Sequence, residues 1–310
     1  MLSQVTRHFA GLWLAALAVG AWGAQAPLSV AEIATGVFVH RGAVAEVTRD
    51  NGGDIANLSF VVGERCVAVI DTGSTAAIGR ALLAAIRQHT RLPVCYVINT
   101  HMHFDHVFGN VAFEGDGVRF VASQRLPSSL SARAEGFLQR VGDSLGEAAE
   151  GTRPVYPTEL VDTVTTLDLG GRRLVLKAWP TAHTDNDLTV YDERTATLWT
   201  GDLLFVEHLP VIDGSVRGWL AAIDDLVALG ARHVVPGHGP VDVAGSDGLE
   251  RERAYLSHVA ATVRRAIRDG RSLREVIDAG ESETVAEWQL VEAFHPRNLS
   301  AAYTELEWED

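Results

Sequence analysis

The 310-residue chain has no excess of positive charge, almost no cysteine and, beyond its first 26 residues, no apolar run long enough to span a bilayer. Its 26 basic and 40 acidic residues give a formal net charge of −14. Proteins that grip phosphate backbones normally carry a basic footprint, so no nucleic-acid partner is expected. Lysine is nearly missing too, with Lys177 the single one among the basic side chains. Cys66 and Cys95 are the only cysteines. Each sits in an apolar strand pattern outside every motif, and both read as small buried thiols rather than as a bridge or as metal ligands.

What is present begins with a leader. Arg7, the apolar stretch 9–19 and the small residues Ala21, Gly23, Ala24 and Ala26 predict a secretory signal peptide over residues 1–26. The mature chain, 27–310, is therefore expected in the periplasm, with no stable membrane insertion after cleavage. Its 47% hydrophobic content is enough to bury one large core.

The chemistry concentrates at Thr100-His101-Met102-His103-Phe104-Asp105-His106. The run Val94-Cys95-Tyr96-Val97-Ile98-Asn99 reads as a buried strand, and His101 and His103, two apart, point to one side where it ends. Asp105 and His106 follow within reach of a second point nearby. A lone histidine is usually a hydrogen-bonded core or surface residue. Three imidazoles and a carboxylate at this spacing suit metal instead, and all four together suit two adjacent cations.

This stretch resembles the H-x-H-x-D-H signature of the metallo-β-lactamase superfamily. The resemblance extends to the strand Val67-Ala68-Val69-Ile70 ending at Asp71, to His183 in Thr181-Ala182-His183-Thr184-Asp185, to Asp202 in Trp199-Thr200-Gly201-Asp202, and to His238 in Pro236-Gly237-His238-Gly239. It implies that His101, His103 and His183 hold one zinc, that Asp105, His106 and His238 hold another, and that Asp202 bridges them. Asp71 is implied as a support behind the ligands. Two Zn²⁺ are the implied cofactors, with iron or manganese as lesser alternatives. The implied reaction is attack by metal-activated water on a small-molecule carbonyl substrate, with Asp105 orienting the water and passing on its proton.

The punctuation predicts strands over 36–42, 56–62, 66–70, 118–122, 164–169, 173–178, 188–191, 197–200 and 233–235, and helices over about 75–89 and 216–229. This alternation suits the α/β (α+β) αββα sandwich that the resemblance implies: two mixed β-sheets face to face, helices outside, and ligands on loops at strand ends. Residues 123–157, with a helical stretch around Leu130 to Ala149, form either a flap over the metal site or a solvated connection. Residues 241–310 predict helices whose apolar faces serve packing. His208 reads as a surface histidine, and Asp185, Asn186 and Asp187 as an Asx-rich turn beside His183.

A finer resemblance rests on Gly36-Val37-Phe38-Val39-His40-Arg41-Gly42, Asn57-Leu58-Ser59-Phe60, Ala182 to Leu188 and Leu306-Glu307-Trp308-Glu309. These are similar to the quinoprotein relay system zinc metallohydrolases, which implies a periplasmic quinoprotein dehydrogenase system as the context. The expected function is hydrolysis of an ester, lactone, thioester or amide. The alternatives are a β-lactamase, for which Arg217 would have to grip the drug's carboxylate, and an iron-dependent oxidoreductase on the same scaffold.

Overall fold

The computed structural model describes residues 26–241, 247–279 and 285–309. The expected leader lies outside them. Strands β1 (Ala31–Ala34), β2 (Val37–His40), β3 (Leu58–Val62), β4 (Val67–Ile70), β5 (Val94–Ile98), β6 (Arg119–Ser123) and β7 (Glu159–Val161) form one sheet in that order. β1 to β4 pair antiparallel, and β4 to β7 parallel. The second sheet holds β8 (Val164–Asp168), β9 (Arg173–Ala178), β10 (Leu188–Asp192), β11 (Thr197–Phe205) and β12 (His233–His238), with only β11 and β12 parallel.

The period-two alternation of the strands sorts their side chains into three apolar layers. Val37, Val39, Val61, Ala68, Ile70 and Ile98 face Leu174, Leu176, Leu188, Val190 and Trp199 between the sheets. Their neighbours Phe38, Leu58, Phe60, Val67, Val69 and Val97 point the other way, onto Ile78, Leu82 and Ile86 of α1 (Ala76–His89). On the far face, β11 and β12 pack against α4 (Val216–Ala228), α5 (Asp247–Arg268) and α7 (Val291–Leu306) through Trp219, Ile223, Leu256, Val259 and Leu299. This is the expected αββα sandwich. Among the described residues, no helix is long and apolar enough to cross a membrane.

Three elements differ from the sequence reading. β1 and β7 are short and were not foreseen. β11 continues past Thr200 to Phe205, because two register shifts absorb Thr200 and then Asp202 to Leu204: Gly201 pairs with Pro236 and Phe205 with His238, so the longer segment spans the shorter one. Cys66 and Cys95 form a disulfide, with Cα atoms 5.7 Å apart, instead of two free thiols. The β4–β5 register slips between Val67 and Ala68, which leaves Cys95 unpaired in the ladder beside Cys66.

The helical stretch expected within residues 123–157 is present as α3 (Leu126–Leu145), but it is neither a flap nor a solvated connection: its buried Leu130, Ala134, Phe137 and Val141 pack on Met102, Phe104 and Phe108. The helix is thereby fixed as a wall beside the H-x-H-x-D-H segment.

Candidate metal centre

Parallel strands β4, β5 and β12 all finish at one edge of the sandwich, and chemistry-bearing residues gather where they stop. Asp71 follows β4, His101 and His103 follow β5, and His238 ends β12. Asp105 and His106 lie on the single-turn helix α2 (Phe104–Val107), and His183 lies in the β9–β10 loop. Asp202 departs from the strand-end expectation, since it sits inside β11 at the bulge, which turns its carboxylate toward the others.

All seven residues expected as ligands converge, in two groups. His101, His103, His183 and Asp202 form one, and Asp105, His106 and His238 the other, with the ligand atoms of each group within 4.8 Å of one another. Asp202 Oδ2 stands 3.6 Å from His101 Nε2, 3.4 Å from His183 Nε2 and 3.5 Å from His238 Nε2, while its Oδ1 is 3.2 Å from His106 Nε2. Asp105 Oδ2 lies 3.4 Å from His238 Nε2 and 3.7 Å from His106 Nε2. One carboxylate thus touches both groups.

The outward nitrogen of every imidazole meets an acceptor. His106 Nδ1 donates to Asp71 Oδ2 at 2.8 Å, His183 Nδ1 to the Val211 carbonyl at 2.6 Å, and His238 Nδ1 to the Ile55 carbonyl at 2.8 Å. His103 Nε2 donates to Asp213 Oδ2 at 2.9 Å, and His101 Nδ1 to the Thr100 hydroxyl at 3.1 Å, which itself donates to Asp71. With those hydrogens directed outward, each imidazole in its neutral form presents a lone pair inward. His103 Nδ1 is 3.0 Å from His101 Nε2 and 3.1 Å from His183 Nε2, so three lone pairs meet with no proton to share. Convergence of this kind is repulsive unless a cation sits among them. Two buried atoms of the cluster, His106 Nε2 and Asp202 Oδ1, also have no hydrogen-bond partner. The donor set therefore fits a pair of metal ions, one per group, with Asp202 available to both.

The electrostatics carry the same message. Burial works against charge on His106, yet the carboxylates of Asp202, Asp71 and Asp105 outweigh it and raise its pKa well above the ordinary histidine value. His238 is likewise pushed up to about 9, burial being overcome first by Asp202 and then by Asp105. Burial lowers His183 to about 4. The carboxylates respond in kind: despite burial, His106 and His238 hold Asp105 down to about 2. The cluster demands positive charge at its centre, which metal ions supply in place of protons.

Asp71 is the keystone behind the ligands. It has the left-handed backbone φ of 57°, a conformation aspartate tolerates better than most residues, and its carboxylate accepts from the Thr100 amide and hydroxyl as well as from His106. Asp71→Asn puts an amide donor where three donors need acceptors. It is expected to weaken metal affinity by about 10- to 100-fold, measured by competition with a chelating dye. Gly237 is equally constrained, because a Cβ there would collide with Asp202 Oδ1. Gly237→Ala is expected to lower the bound metal per chain, read by elemental analysis.

Asp213, Thr100 and Arg133 were missed by the sequence reading. Arg133 reaches from α3 to pair with Asp213, which ties the α3 wall to His103. Thr100 adjoins His101, but a threonine there carries no signature of its role; Asp213 and Arg133 lie too far along the chain to form a pattern with the ligands. Asp185 and Asp187 brace the His183 turn instead of facing the centre: Asp187 accepts from the Thr184 amide and hydroxyl, and Asp185 from Ser129. His208 is not a surface histidine. It is 4% exposed, its ring lies 5.1 Å from that of His238, and its Nδ1 donates to the Leu209 carbonyl.

A cleft of about 340 Å³ opens over the second group, with Asp105, Asp202 and His238 at its floor. The metallo-beta-lactamase superfamily model matches residues 51–238. The chain belongs to the metallo-β-lactamase superfamily. Enzymes of this superfamily are typically metal-dependent hydrolases. Among solved structures, the stereoselective inverting sec-alkylsulfatase Pisa1 from Pseudomonas sp. is 17% identical with a TM-score of 0.70; the match covers 90% of this chain but 50% of the alkylsulfatase. The metallo-β-lactamase from Pontibacter korlensis is 24% identical, TM-score 0.61, over 74% of this chain and 99% of that one. TMB-1 is 19% identical, TM-score 0.59, over 76% and 99%. The chain therefore spans half the length of the alkylsulfatase, and these likenesses show the superfamily fold. No curated protein sequence matches the chain.

Proposed function

We propose that this metallo-β-lactamase superfamily member is a dinuclear zinc hydrolase that cleaves a small ester, lactone, thioester or amide in the periplasm, in the service of a quinoprotein dehydrogenase system. The observation that carries the hydrolytic reading is the set of inward lone pairs and unpartnered buried atoms around Asp202. Five imidazoles and two carboxylates, with no sulfur, favour zinc over manganese, which prefers oxygen-rich sites. A metal pair held there supplies Lewis acidity and nucleophilic water near neutral pH.

The protein's own residues do the rest. Asp105, ionised between His106 and His238, is placed to orient the attacking water and accept its proton. Phe104, Phe205 and Phe294 line the cleft and give it an apolar wall beside the metal-binding residues. His208 also lines the cleft, and burial, acting first, with the neighbouring His238 lowers it to about 4, so it brings a neutral imidazole to the lining.

The periplasmic and quinoprotein parts of the proposal rest on the leader and on the finer sequence resemblance. The β-lactamase alternative loses the support expected from Arg217, whose guanidinium pairs with Glu305 and Glu309 of the C-terminal segment. Elemental analysis of protein purified without added metal is expected to find two zinc per chain, and a panel of lactones, thioesters and esters to find turnover. Iron in place of zinc would shift the reading to an oxidoreductase, and zinc-loaded protein inert to the whole panel would overturn the hydrolase.

A further inference from the structure

We infer that the substrate carries an anionic oxygen group, a carboxylate or sulfate, at the end remote from the bond that is cut, and that Arg140 of α3 and Arg297 of α7 receive it. The inference rests on the hydrolase reading for which bond is cut, and on the cleft itself for the anion. Both arginines line the cavity whose floor is Asp105, Asp202 and His238. Both are exposed, and among the described residues neither takes part in an ion pair, whereas Arg133 and Arg217 nearby are committed to Asp213 and to Glu305 and Glu309. Glu46 is the one carboxylate of the lining outside the metal centre, so the rim keeps a net positive charge on a protein of formal net charge −14.

Position adds to charge. Arg297 extends over the Phe294 ring, with 5.5 Å between guanidinium and centroid, and that stacking holds its donors near the cleft wall. Between floor and rim the lining is apolar, with Val47, Ile55 and Phe104. A ligand matching this surface has an acyl group over the metals, an apolar middle and an anionic oxygen head that a guanidinium fork can hold by two parallel hydrogen bonds.

The test is calorimetric binding of adipate and hexanoate to the metal-loaded protein. Both place one carboxylate at the metals, and only adipate offers a second to the arginines. Hexanoate is the more apolar, so without the arginines it should bind at least as well. An exposed ion pair gives a severalfold gain at most. Two together are expected to make adipate bind about tenfold tighter, and the R140Q/R297Q double variant to abolish that preference. A third probe, 4-sulfobutyrate, tells a sulfate-type head from a carboxylate, and preference for either over hexanoate supports the assignment.

Equal binding of all three acids, or a preference that persists in the double variant, overturns it. The same pairs as thioesters report on chemistry. Absence of turnover on these thioesters and on the whole lactone and ester panel, with the adipate preference intact, would sink the hydrolase and leave the anion site standing.

Discussion

Asp105→Asn is expected to fold as the parent does and to lower kcat by about 10²- to 10⁴-fold, the range attributed to a positioned acid or base. The substitution preserves shape, so helix α2 and its packing on Phe108 and Phe137 should survive. What it removes is charge and basicity. The carboxylate is held ionised by His106 and His238, with a pKa of about 2, and an amide can neither take a proton nor offset two cations. Because Asp105 is also placed to hold metal, kinetics must be measured with metal at saturation and its content checked on the same sample. A variant that binds two ions per chain yet turns over at the parental rate would remove Asp105 from the chemistry, leaving it a ligand only.

The difference between what the sequence made legible and what it did not follows from distance along the chain. The seven converging residues were readable because each sits in a short motif, and all but Asp202 lie at or just beyond a strand end, where local pattern and local geometry coincide. Strands such as Arg173–Ala178 and helix Ala76–His89 were readable because their apolar period is unbroken and Thr75 caps the helix. The bulge at Asp202 was hidden, since Gly201-Asp202 looks like the end of a strand until β12 lies alongside and pairs beyond it. The Cys66–Cys95 bridge was hidden for a similar reason, because a one-residue slip in register cannot be seen in either strand alone. Partners of the ligands were least visible. Asp213 lies 110 residues from His103, and the Ile55 carbonyl 183 residues from His238. A backbone carbonyl also has no signature in sequence. Arg140 and Arg297 belong to this class: their shared cleft exists only once α3 and α7 are packed.

The largest stability effect is expected far from the metals, at Arg172. This side chain is 2% exposed and makes a two-pronged pair with Asp192, at 3.1 Å from Nε to Oδ1 and 2.7 Å from the terminal nitrogen to Oδ2. Its other terminal nitrogen donates to the Thr35 and Val62 carbonyls, both at 3.0 Å. Val62 ends β3 and Thr35 lies in the β1–β2 turn of the first sheet, whereas Arg172 precedes β9 and Asp192 ends β10 of the second. One guanidinium therefore joins the sheets at the end opposite the metal centre, where β3 turns into β4. Replacing it with methionine fills much of the volume but leaves the buried Asp192 carboxylate without its counter-charge, held by the Arg194 and Thr195 amides and the Thr195 hydroxyl, and takes a donor from two carbonyls. The expected loss is about 3 to 5 kcal/mol, the range for removing one partner of a buried pair. For a chain of this size that corresponds to a fall in Tm of roughly 10 °C. Removing both charges, as in Arg172→Met with Asp192→Leu, should recover a large part, because the desolvation cost then disappears along with the attraction. Metal content should stay near the parental value in both variants, since no ligand or ligand partner is touched. If Arg172→Met alone unfolds within about 2 °C of the parent, water reaches Asp192 and the pair is not sealed between the sheets. If the double variant is no better than the single, the two carbonyls, not the carboxylate, carry the cost.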